Sequence, residues 1–87
     1  MIVITVHDTV AGTWSNPVTA QNEGSAKRDF LSACSDNRSL IGQHPTDFQL
    51  YVIADWLPSL EEGKLPIFRA YESPKFLIQG QIHEQDK

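Results

Sequence analysis

The sequence predicts a small α+β domain: a four-stranded antiparallel sheet with one helix packed on a face, in ββαββ order. Three observations carry that expectation. Phe48, Leu50, Val52, Ala54 and Trp56 alternate with Gln49, Tyr51, Ile53 and Asp55, a period of two that marks a strand. Ala26, Phe30, Ala33 and Cys34 recur at i, i+4, i+7 and i+8, the stripe of a helix lying on a sheet. Between such segments stand turn formers, including Asp36-Asn37-Arg38-Ser39 and His44-Pro45-Thr46-Asp47.

In chain order, Ile2 to His7 is the first strand, with Ile2, Ile4 and Val6 on one face and Val3 and Thr5 on the other. Residues 8–13 turn the chain, and Gly12 is free to take positive φ there. Trp14 to Gln21 is a second strand interrupted by Asn16-Pro17; it belongs at an edge or starts after the proline, because Pro17 has no N–H for a ladder. The short connection makes an antiparallel hairpin of the first two strands. Asn22 is a good N-cap for a helix that begins at Glu23, and the acid suits the positive end of the macrodipole. Lys27, Arg28, Asp29 and Ser32 face away from the stripe, and the helix should end near Ser35. Leu40-Ile41-Gly42 is a helical turn or a loop over the core. The long strand Phe48–Trp56 follows, stopped by Pro58 and a polar loop at Glu61-Glu62-Gly63-Lys64. Leu65 to Glu72 is the fourth strand, with Pro66 at its start and Ser73-Pro74 breaking it. Residues 75–79 form a short apolar segment whose type the sequence leaves open. The expected core is Phe30, Phe48, Leu50, Val52 and Trp56, joined by Ile4 and Val6.

The 87 residues make one domain, expected over 1–80, with a polar, frayed tail over 81–87. A chain this short buries only about 60–65% of its unfolded surface, so a partner subunit would help it. No apolar run approaches the roughly 20 residues of a membrane span, and Ile2–Val6 has neither the basic flank nor the cleavage site of a signal peptide. Cys34 is the only cysteine, which rules out an internal disulfide and fits a reducing cytoplasm. The formal charge of −4 is spread evenly, with three Lys/Arg and five Asp/Glu in 1–54 and four and six in 55–87. No basic arm marks the chain as a generic phosphate binder.

Catalytic and metal chemistry find little purchase. His7, His44 and His83 have no metal-ligand spacing, and one cysteine leaves few ways to complete a zinc site. His44 and Asp47 read as a turn and its cap, Cys34 as a small buried hydrophobe. No nucleophile elbow or phosphate-cradling glycine loop occurs. The expectation is therefore no catalytic residues, no metal and no cofactor; an enzyme would need distant polar residues brought together by the fold.

Binding is better served. Trp14, Tyr51, Trp56, Phe68 and Tyr71 could stack nucleobases from a sheet face while Lys27, Arg28, Arg38 and Arg69 hold phosphates. The competing reading makes the aromatics core and Lys27 and Arg28 the wet face of the helix, and the negative charge favours it. Self-association is the third reading. A sheet with its helix on one side leaves Tyr51 and Ile53 on the other, and a dimer through sheet face or edge would cover them, unless Phe76-Leu77-Ile78 does so within one chain.

Three segments together carry a family resemblance. They are Asn16-Pro17 with residues 20–26, then Arg28-Asp29-Phe30, then residues 44–53, of which Pro45 to Ile53 match best. Their order and spacing resemble the small nonstructural protein of gokushovirus-type microviruses, bacteriophages with single-stranded DNA genomes. The similarity runs from about Ile2 to Tyr71 and departs after Pro58 and beyond Pro74. The resemblance implies a noncatalytic accessory protein that stays in the cytoplasm of the infected bacterium and is absent from the virion. It implies a role in single-stranded DNA synthesis or genome packaging, through DNA or through a viral or host replication protein, and it supplies no catalytic residues.

Overall fold

A computed structural model describes residues 1–82. His83 and most of the expected frayed tail lie outside the described residues. The elements are β1 (Ile2–Asp8), β2 (Thr13–Trp14), β3 (Val18–Ala20), α1 (Glu23–Cys34), the short α2 (Leu40–Gln43), a 3-10 turn at Pro45–Asp47, β4 (Phe48–Leu57) and β5 (Ile67–Gln79). All strand pairs are antiparallel, in the order β2-β1-β4-β5, with β3 also on β1.

Among the described residues the sheet thus has five strands where the sequence suggests four, and the reason is local. β2 and β3 both line β1 on the side away from β4, as two halves of one interrupted edge. Asn16-Pro17 separates them, because Pro17 cannot donate to the ladder. Ser15 stands in at the break. Its backbone N–H donates to Val6 O at 2.8 Å, its hydroxyl accepts from Val6 N at 2.9 Å, and Thr5 Oγ1 donates to Ser15 O at 2.8 Å. The β1–β2 turn is held by Asp8, whose carboxylate accepts from Val10 N and Ala11 N, with Gly12 at φ 72°.

α1 is capped as its sequence dictates. Asn22 Oδ1 accepts from Ser25 N at 2.8 Å, and Ala26, Phe30 and Cys34 are its buried residues. They pack on Ile4, Phe48, Leu50 and Val52, with Ile2, Val6, Ile41, Tyr71, Leu77 and Ile78 around them. At the first turn of α1 the Glu23 carboxylate accepts from Lys75 Nζ at 2.7 Å, tying helix to edge strand. Ser39 caps α2 through its hydroxyl, which accepts from Gly42 N at 3.0 Å.

One core expectation fails, and β4 shows why. Ile4 pairs with Val52, but Val3 pairs with Ala54, so Ile53 is an extra, unpaired residue in the strand. A bulge of one residue moves every later side chain to the other face. Ala54 and Trp56 therefore leave the helix side, and Trp56 is only half-buried, meeting Phe68 edge-on at 6.4 Å. Asp55 moves the opposite way, and its carboxylate accepts from Tyr71 Oη at 2.8 Å beside the core.

β5 is also longer than the segment 65–72 read from the sequence. The break at Ser73-Pro74 is real but does not end the strand. Against the single residue Ile53 of β4, four residues of β5, Tyr71 to Pro74, lie between the pairs Ala54–Ala70 and Val52–Lys75. An edge strand tolerates such a detour because its outer N–H groups have no ladder to make. Lys75 to Gln79 then resumes the pairing, which settles the type of that segment as strand.

Candidate sheet-face interface

Among the described residues, the face of the sheet away from α1 carries no helix. Cross-strand pairs share a face, so Thr5, His7, Trp14, Gln49, Tyr51, Phe76 and Gln79 lie together on it, followed past the bulge by Ala54, Trp56, Phe68 and Ala70. Four rings form a row across β2, β1, β4 and β5. His7 stacks on Trp14 with centroids 4.3 Å apart and planes 20° from parallel. Trp14 meets Tyr51 edge-on at 5.1 Å, and Tyr51 meets Phe76 edge-on at 5.6 Å. The two ends of the row are open, with Trp14 46% and Phe76 50% exposed.

A hydrogen-bond chain holds the middle of the row. Tyr51 Oη donates to Gln49 Oε1 at 2.9 Å, and Gln49 Nε2 donates to Gln79 Oε1 at 3.0 Å. Gln79 Nε2 in turn donates to the carbonyls of Thr46 and Phe48. The Tyr51 ring is fixed by packing on both sides and by this chain, so the middle of the row is held in one arrangement. The face is also free of charge in its paired register: Asp55 is on the helix side with Tyr71, and Glu23 with Lys75.

The cations expected to join Trp14 are not gathered beside it. Lys27 and Arg28 are on α1, across the sheet, and Arg28 lies 3.9 Å from Asp29. Arg38 is folded onto Asp36 in the loop after α1, Nε to carboxylate at 3.0 Å; that contact lowers the pKa of Asp36 and raises that of Arg38. Arg69 pairs across from Asp55 on the helix side. Of the two residues expected in self-association, Tyr51 is in the ring row and Ile53 is the bulge residue, so they do not form one regular stripe. Sequence reasoning missed His7; Phe76, in the segment weighed as cover for this face within one chain, does pack on Tyr51. His7 alternates with Thr5 and Val3, and with the β1 turn that pattern predicts its face but not the stacked indole. Phe76 lay in the segment of undecided type.

Depressions flank the core. One of about 390 Å³ is mostly apolar and lies between Trp14, Val18, Leu40, Ile41 and Phe48. Another of about 540 Å³ brings Cys34 to the same rim as His44 and Asp47 of the turn before β4. Among the described residues no group of three or more His, Cys, Asp and Glu side chains is placed to hold a metal ion. Among them, too, no helix is long and apolar enough to cross a membrane.

The family model described as Phage ORF5 protein matches residues 1–81. The chain belongs to that family. The match takes in β1 to β5, so the ring row and the hairpin of β4 and β5 are parts of the Phage ORF5 domain rather than additions to it. No curated protein and no solved structure matches the chain. Family membership makes this a phage protein and supports an accessory role.

Proposed function

We propose that this Phage ORF5 protein is a noncatalytic accessory protein of a gokushovirus-type microvirus, which binds single-stranded DNA during viral strand synthesis or packaging. The observation that carries the reading is the row His7–Trp14–Tyr51–Phe76 on the sheet face away from α1. Base stacking on aromatic side chains is worth about 1–3 kcal/mol per base and tolerates any sequence. Trp14 and Phe76, the open ends of the row, are the stacking platforms; Tyr51 holds them apart at fixed spacing. The similarity of residues 45–53 to the microvirus proteins supports the virus class. The protein acts in the cytoplasm of the infected bacterium and stays out of the virion.

With no Lys or Arg in the paired register of this face, stacking rather than phosphate neutralisation drives the binding. The salt slope should be shallow, because each phosphate contact contributes about 0.7 to that slope for single strands. Titration of oligothymidylate by fluorescence anisotropy tests this. Trp14→Ala/Phe76→Ala should weaken binding at least about tenfold, the loss of one stacked base or more. No binding by the wild type at low salt, or equal binding by the double variant, would refute it.

A second reading is a protein–protein module that controls a viral or host replication factor without touching DNA. The uncharged face and the net charge of −4 favour it. A phage deleted for this gene that still made normal amounts of single-stranded progeny genome would count against both readings.

A further inference from the structure

The end of the ring row is built twice on this face. At the row, half-buried Tyr51 of β4 meets Phe76 of β5 edge-on at 5.6 Å, and Phe76 is 50% exposed. Further along the same two strands, half-buried Trp56 of β4 meets Phe68 of β5 edge-on at 6.4 Å, and Phe68 is 55% exposed. Both pairs lie on the face away from α1, because the bulge at Ile53 carries Trp56 over to it. Neither Trp56 nor Phe68 belongs to the core cluster. Between the two pairs Ala54 faces Ala70, so only methyl groups stand there across β4 and β5. The nearby charges, Asp55, Arg69 and Lys75, belong to the helix side.

We infer that Trp56 and Phe68 form a second base-stacking subsite for single-stranded DNA, and that the strand runs from the ring row along β4 and β5. The inference rests on the reading of the ring row as a DNA surface and adds a path to it. Phe68 is the open platform and Trp56 its support, as Tyr51 supports Phe76. Spacing fits a chain of nucleotides. Trp56 is five residues beyond Tyr51 in β4. At about 3.3 Å per residue, less the bulge, the two platforms are roughly 15 Å apart. A stacked strand advances about 3.4 Å per nucleotide and a drawn-out one roughly twice that, so about two to four nucleotides bridge the gap. Separate platforms over a low floor suit a polymer of flat units. A folded protein partner would instead bury one continuous patch, which Ala54 and Ala70 interrupt here.

NMR titration of the full chain with a dinucleotide and a decanucleotide of thymidylate tests the inference, with the indole N–H signals of Trp14 and Trp56 as reporters. The dinucleotide is too short to reach both platforms, so each indole should follow its own weak binding curve. The decanucleotide should move both along one tighter curve, because the second contact becomes intramolecular. Phe68→Ala should weaken the decanucleotide at least about fivefold, the loss of one stacked base, and leave the dinucleotide curve at Trp14 unchanged. Phe68→Trp, which keeps a ring, should bind like the wild type. Far-ultraviolet circular dichroism should be the same for both variants, since Phe68 is outside the core. Trp56 unmoved by saturating decanucleotide, or a Phe68→Ala variant that binds it unchanged, overturns the second subsite and leaves the ring row standing. No shift at either indole overturns the reading of the row and this inference with it. A Trp56 signal that moves with protein concentration in the absence of DNA would give the pair to a second copy of the chain, which also overturns it.

Discussion

The imidazole of His7 lies flat on the indole of Trp14, centroids 4.3 Å apart. The pairing is a product of register: His7 and Trp14 face each other across β1 and β2, where the Asp8 turn sets the strands in step. The stack keeps a half-exposed indole from rotating freely. Such a pair is worth about 0.5–1.5 kcal/mol beyond its buried area. His7→Ala should therefore loosen Trp14, seen as lower steady-state anisotropy of its fluorescence in a Trp56→Phe background. Unchanged anisotropy would mean that the backbone alone orients the indole.

The bulge at Ile53 separates two large aromatics that a regular strand would put together. Phe48→Ala should cost about 3–5 kcal/mol in denaturant unfolding, the usual loss for a buried phenylalanine. Trp56→Ala should cost clearly less, since Trp56 is half-buried and outside the core cluster. Equal costs would show that Trp56 is a core residue and that the register shift is misplaced.

That bulge also marks where sequence reasoning reaches its limit. The helix was legible because its determinants are local: Asn22 caps from its own side chain, and Ala26, Phe30 and Cys34 repeat at helical spacing. The split edge strand was legible for the same reason, since Pro17 lacks a donor whatever its surroundings. The side-switch of Trp56 was not, because period-two patterning assumes an unbroken pleat, and Ile53 carries no glycine or proline to signal the extra residue. Pro74 misled in the other direction. It interrupts pairing yet sits on an edge strand that can bow out for four residues and return. The ring row was half legible: Trp14 and Tyr51 were candidates, but their partners depend on cross-strand register. The cations have only their residue type in common, and the fold spreads them over the helix, a loop and β5.

Gly42 sits where α2 returns over the end of α1. A methyl group there would overlap the backbone carbonyl of Asp36, which cannot move without disturbing the Ser39 cap. Gly42→Ala should therefore destabilise the domain by about 1–3 kcal/mol despite alanine's better helix propensity. Chemical denaturation checks it; a neutral or stabilising effect would show that α2 shifts freely.

The Glu23–Lys75 tie should make stability pH-dependent in one direction. The hydrogen bond from Lys75 holds the Glu23 carboxyl below its ordinary pKa. A depressed carboxyl pKa contributes stability above the unfolded value, and the contribution fades as pH falls through the folded value. Both side chains are largely in water, so the effect is small and salt-sensitive. Glu23→Gln should melt below the wild type at neutral pH, and the gap should close as the solution is acidified past the carboxylate range. A gap that persists in acid would assign the loss to packing or capping instead.

Single-stranded DNA is proposed to bind the sheet face away from α1 through its ring row. Chemical-shift mapping of isotope-labelled protein with a short oligothymidylate tests it most directly. Saturable shifts are expected at the Trp14 indole N–H and along Thr5, His7, Tyr51 and Phe76, with α1 and the Leu60–Leu65 loop unmoved. Shifts centred on Lys27 and Arg28 of α1, or none at all at low salt, would contradict it.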